Sequence, residues 1–404
     1  MSREKTSARF TGLFYLLLAG ACAVIATGCS SCRKSRDGKT EGAAIPTPPA
    51  RAIYVTNNGS DSVSVVDRDG DAVTTVSVDI DPDAHEAPHH LAVDARAGAV
   101  FVALAFPPLE QPKRKRDPHA SHGGGADTGR LARLAIGTLA IEKTGELAEN
   151  PGDVVLTPDR SKVLVTHYDM RRAMTVAAKG GGSPSTMFAE LQVWRASDMT
   201  KLGARPICVA PHGITVTKDG KLAIVACYGS DELTLTRLDE EGLPTSRFPL
   251  GAAQGVPGVP RYGPYSATLT PDERHVVVAD LEGADVRVFD LAEKKFVAER
   301  TMSLGARVMM PAFSKDGALL APLQGPDGVV RIDLDARKVE RRADLGGKCK
   351  LPHAVRVAKD GRAYVVCEGD HAGPGAVVEL DPATLEVKKS WTVGVYPDGL
   401  DFGE

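Results

Sequence analysis

Seven of the 404 residues are cysteine and ten are histidine, and neither set is scattered. His89, His212 and His353 each follow a proline, at Pro88, Pro211 and Pro352. Imidazole changes charge near neutral pH and is the commonest side chain on transition metals, so this repeated dipeptide could ligate a metal or exchange protons. Cys208 stands four residues before His212 with Cys227 19 residues on, and Cys349 stands four before His353 with Cys367 18 residues on. Other candidate motifs fail on context. His85-Glu86-Ala87-Pro88-His89 spells HExxH, but a zincin needs both imidazoles on one helical face, and Pro88 opposes a helix there. The chain has no G-x-S-x-G elbow, phosphate-cradling loop or C-x-x-C-H haem attachment, and Gly123-Gly124-Gly125 and Gly180-Gly181-Gly182 read as loop tips.

The elements that must position these residues recur along the chain. Pairs of short apolar strands flank tight-hairpin signals at Pro158-Asp159, Lys218-Asp219-Gly220, Pro271-Asp272, Lys315-Asp316-Gly317 and Lys359-Asp360-Gly361. Second strands begin near Ile53, Val100, Val163, Leu222, Val276, Leu319 and Ala363, giving seven units. Aligning the units places Asp398, His89, Gly152, His212, Tyr265, Met309 and His353 at the openings of the innermost strands, in unit order. His353, Asp398 and His89 then fall on neighbouring units, with His167, Asp280 and the cysteine pairs expected close by.

Tyr54-Val55-Thr56-Asn57-Asn58-Gly59 through Val65-Val66-Asp67 resembles the signature of the YVTN-repeat β-propeller family, and weaker copies cover residues 51–404. The resemblance implies an all-β, seven-bladed propeller, and that family and its lactonase-like relatives host many roles. Tyr396 to Phe402 reads as the start of another repeat, expected to complete blade 1 and close the ring. Length alone favours two or three domains, whereas the repeat makes 51–404 one.

Arg3, Lys5 and Arg9 precede an apolar run from Leu13 to Ile25 that contains Cys22, and Ala26-Thr27-Gly28-Cys29 resembles a bacterial lipobox. Residues 1–28 are therefore expected to be a lipoprotein signal peptide, with Cys29 lipidated and 29–50 a polar tether. Ser30 favours the outer membrane of a bacterial envelope; ordinary cleavage leaving a free thiol is the rival. In an exported chain the matched cysteines read as disulfides, Cys208–Cys227 and Cys349–Cys367, against thiolate metal ligation or a redox pair. Cys32 has no assignable partner.

A net charge of −3 demands no polyanion, which argues against nucleic acid as the partner, and 5% aromatic content leaves Val, Leu, Ala and Ile to build the core. The insertions at 106–130, 168–189, 251–264 and 79–88 all fall on one face, and Lys113-Arg114-Lys115-Arg116 reads as a solvated loop. The expectation is a monomeric, lipid-anchored module that binds an envelope protein or small ligand through this face, with no cofactor required. The alternative uses the axial His and Asp residues for a transition metal, lactone hydrolysis or association with electron transfer.

Overall fold

The computed structural model describes residues 48–106, 128–179, 183–256 and 258–404. The signal segment, Cys22, Cys29, Cys32, nearly all of the tether, the Lys113–Arg116 run and both glycine triplets lie outside the described residues. Seven antiparallel sheets of four or five strands follow one another, and residues 42–404 form one unit. This is the seven-bladed propeller.

Burial falls from the inside of each blade outward. The second strand of blade 2, Ala99–Leu104, is buried at every position because blades pack on both its faces, whereas the outermost strand, Ile141–Glu146, is nearly all exposed. The inner sequences are accordingly continuous apolar runs and the outer ones polar. Four of the hairpins, in blades 3 to 6, are locked by one device: the hydroxyl of Thr157, Thr217, Thr270 or Ser314 donates to the Asp two residues on, always at 2.6 Å.

The apolar clusters lie between blades. Leu320 and Val329 of blade 6 pack with Val355 and Val365 of blade 7. Across the closure, Ile53 and Val55 pack with Val366 and Trp391. Pro397–Phe402 is the innermost strand of blade 1 and pairs with Ala52–Asn57, Val55 opposite Leu400. The ring thus has no open edge strand at its seam.

Both disulfides form, and each joins two blades. Cys208 ends the outer strand Lys201–Cys208 of blade 3 and bonds to Cys227 in the second strand of blade 4. Cys349 follows the outer strand of blade 6 and bonds to Cys367 in blade 7. Closing a loop of 19 or 18 residues contributes about 3 kcal/mol in the chain-entropy treatment.

Candidate active site: a buried imidazole cluster on the propeller axis

The innermost strands of six blades begin with proline, at Pro88, Pro151, Pro211, Pro264, Pro352 and Pro397. Each proline follows a residue in the left-handed region: Ala87 (φ 47°), Asn150 (46°), Ala210 (50°), Gly263 (61°), Leu351 (52°) and Tyr396 (50°). A non-glycine residue before proline resists this conformation, which costs about 1–3 kcal/mol where it is imposed. The ladder then slips immediately after each proline, as between Pro88 and Leu91 or Pro211 and Ile214. Such a bulge re-aims side chains. Here it delivers one or two residues per blade to the axis. Gly213 shows how close the blades come, since a Cβ there would meet Ser266 Cα at 2.7 Å.

Five imidazole and carboxylate side chains converge. Rings of His89 and His90 lie 4.4 Å apart, His90 and His212 5.5 Å, and His90 and His353 5.7 Å. One potential ligand atom from each of His89, His90 and His212 lies within 4.8 Å of the others, and the same holds for His90, His353 and Asp398. All five residues are at most 3% exposed.

Every ring is oriented through Nδ1. His89 Nδ1 forms an ion pair with Asp398, and His90 Nδ1 meets Asp153 Oδ1 at 2.8 Å. His212 Nδ1 faces the carbonyl of Tyr265 at 3.2 Å. His353 Nδ1 sits 2.6 Å from Glu368 Oε1 and 3.2 Å from Asp398 Oδ1, with the Tyr265 hydroxyl 3.3 Å from its Nε2. Glu368 also accepts from Gln324 (3.0 Å) and pairs with His371 (2.6 Å).

The charges sort accordingly. Burial and the neighbouring His89 lower the pKa of His90, and burial with the surrounding imidazoles takes His212 well below the ordinary value. Burial also opposes charge on His353, but Asp398 and Glu368 outweigh it and raise its pKa. Desolvation of Asp398 is overcome by His89 and His353, which hold it well below the usual carboxylate range. The site therefore offers ionised carboxylates, neutral imidazoles at His90 and His212, and a proton held at His353.

On the loop-bearing side Tyr168 stands edge-on to His212 at 5.4 Å, and Tyr396 stacks on His371 at 3.7 Å. The helix Met170–Ala178 starts beside them, with its N-terminus capped by Asp169. Elsewhere along the innermost strands a cavity of about 240 Å³ is lined by Leu91, Val154, Arg160, Arg356, Leu400 and Asp401. The positive charge of Arg356 reaches Asp153, His353 and Asp401.

The structure brings together His89, His212, Tyr265, His353 and Asp398. Met309 instead belongs to an apolar cluster with Tyr265 and Leu281. His167 joins neither ligand group: its Nδ1 meets the carbonyl of Glu190 at 3.0 Å, and burial lowers its pKa to about 4. Asp280 pairs with Arg287 at 2.9 Å, and the cysteines are spent in disulfides. In the HExxH string, His85 pairs with Asp61, not with His89.

Sequence reasoning passes over His90, Asp153, Glu368 and His371. One aligned position per blade was expected at the axis, and period-2 alternation turns the following residue away. The bulge breaks that period and adds His90 and Asp153. The adjacent His89-His90 pair was the available signal.

The description "Lactonase, 7-bladed beta-propeller" belongs to a family model that matches residues 132–401. A 6-phosphogluconolactonase of Photorhabdus laumondii is 21% identical over 280 residues, 65% of this chain and 77% of that protein. Among solved structures, a putative 6-phosphogluconolactonase of Bacteroides fragilis (TM-score 0.60, 16% identity, 87% of this chain and 97% of that one) shares the fold. So does a periplasmic gluconolactonase of Pseudomonas aeruginosa (0.59, 17%, 87% and 98%). With more than half its length matched by that model, the chain belongs to the lactonase seven-bladed β-propeller family.

Proposed function

We propose that this protein hydrolyses a lactone at the axial cluster, working as a lipid-anchored protein of the bacterial envelope. The observation that carries the reading is His353, fixed between Glu368 and Asp398 with the Tyr265 hydroxyl at its other nitrogen, in a chain of the lactonase family. A water on the side of His90 and His212 adds to the carbonyl carbon and loses its proton. The ring C–O bond breaks, His353 gives its proton to the departing oxygen, and the proton shed by the water is returned to His353. The cavity with Arg160 and Arg356 suits a substrate carrying an anionic group, in keeping with the names of the relatives. The test is a panel of sugar lactones, with and without phosphate, offered to the full chain. His353→Gln is expected to lower kcat/KM by about 100-fold or more in protein that still folds. A wild-type chain that opens none of them overturns the proposal.

A second reading, binding through the loop-bearing face, is favoured by exposed apolar side chains there. Met174, Val256 and Val259 are 63–66% exposed, and Gly258 lies against Ala173 of the helix, so the two loops adjoin. An envelope protein is the expected partner. Cross-linking in intact cells followed by capture should lose that partner in a Met174→Glu, Val259→Glu variant, and unchanged capture sinks the reading. The anchor is tested separately, since Cys29→Ser should release the chain from the membrane fraction.

A further inference from the structure

We infer that His89, His90 and His212 form a binding site for one divalent transition-metal ion, of the zinc class. The inference deepens the hydrolytic reading, on which its role in catalysis rests, by naming what activates the water.

The tautomers carry the argument. An ionised carboxylate and a backbone carbonyl can only accept, so the Nδ1 of each ring must be the donor to Asp398, Asp153 or the Tyr265 carbonyl. That leaves Nε2 of each ring as the atom with the lone pair. Ligating histidines are held this way, their second nitrogen donating to a carboxylate or carbonyl that fixes the ring and raises its basicity. Asp153 is itself fixed, accepting from the backbone N–H groups of Ile214 and Val154, each at 2.9 Å.

A second observation points independently to a ligand. His90 Nε2 is buried, its residue 3% exposed, and has no hydrogen-bond partner among the described residues. Buried polar atoms left unsatisfied are rare in folded proteins, and a cation would supply what this one lacks. The geometry is close to what such an ion needs. Zinc–imidazole bonds of about 2.0–2.1 Å in a tetrahedron set the nitrogens about 3.4 Å apart. One nitrogen from each of the three rings already lies within 4.8 Å of the others, so modest ring rotations would bring the set to a single ion. Three imidazoles leave a fourth position open, as in sites where the metal lowers the pKa of its bound water to about 7. His353 packs against His90 at 5.7 Å, where its proton could reach a leaving oxygen.

The experiment uses the full chain in detergent, stripped with a chelator and titrated with Zn²⁺ against a chromophoric competitor. One equivalent should bind, and Co²⁺ in its place should show tetrahedral visible absorption. His90→Gln and His212→Gln should weaken binding by about 100-fold or more. Asp153→Asn, which keeps the ring in place but loses its orienting charge, should weaken it by about 10–100-fold. His167→Gln should change nothing. The site is overturned if the wild type binds no equivalent, or if His90→Gln and Asp153→Asn bind as it does. Loss on His353→Gln but not His212→Gln also overturns it, by moving the ion to the other group. Lactone opening that survives in metal-free protein removes the metal from the reaction and leaves the hydrolytic reading standing. Stoichiometric metal on a chain that opens no lactone does the reverse.

Discussion

Blades 7, 1, 2, 3 and 4 bring His353, Asp398, His89 with His90, Asp153 and His212 to the axis, while blades 5 and 6 bring Tyr265 and Met309. Both arcs are built from the same repeat. Blade 5 even keeps the left-handed residue before proline, as Gly263 at φ 61°, and differs only in what the bulge delivers. Blade 6 loses the device itself. Its innermost strand is split into Arg307–Val308 and Ala312–Phe313, and Pro311 falls after Met309. Met310 instead bridges in parallel to Ala354 of the next blade. A common backbone geometry is thus a socket, and a few side chains decide whether it holds chemistry or packing.

The comparison is broken most severely at Glu368. Its carboxylate serves His353, Gln324 and His371 at once, all in the polar arc. Glu368→Ala strands these buried partners and should cost about 3–5 kcal/mol in urea unfolding. Glu368→Gln, which keeps part of the network, should cost clearly less. Equal losses would mean that the negative charge, rather than the volume and hydrogen bonds that Gln keeps, holds the arc together.

His167 tests whether burial alone, without a carboxylate, behaves differently from the axial histidines. Its folded pKa is about 4, below the ordinary 6.5, so on acidification the unfolded chain takes the proton first. Its contribution to stability is complete above pH 6.5 and is lost as pH falls from 6.5 through 4. That loss amounts to about 3 kcal/mol. His167→Gln should therefore flatten the fall of melting temperature across this window, and an unchanged slope would contradict the assignment.

The smallest effect belongs to the apolar arc. Met309→Leu conserves volume in its cluster and should cost under about 1.5 kcal/mol, with lactone opening and metal binding unchanged. A large loss of metal binding would make Met309 a ligand and erase the distinction between the arcs.

Much of the fold was legible because its signals are local. Apolar strand pairs, Pro-Asp and Asp-Gly hairpin turns and matched cysteines repeat at regular positions, and a C-terminal repeat fragment implies closure. Ala26-Thr27-Gly28-Cys29, which resembles a lipobox, lies outside the described residues. The site was legible only in part. Alignment of the repeats put His89, His212, His353 and Asp398 at equivalent positions, while His90 and Asp153 were hidden by an alternation that the bulge interrupts.

What the sequence determined by itself is the repeating unit, the number of blades and which cysteines pair, since strand period, turn chemistry and spacing act over a few residues. Only the tertiary structure decided that the disulfides join different blades, that Glu368 stands behind His353, and that four buried imidazoles meet on the axis. Those contacts depend on ring closure and on left-handed bulges that are imposed by packing against neighbouring blades. No local preference of Ala87-Pro88 or Leu351-Pro352 specifies them.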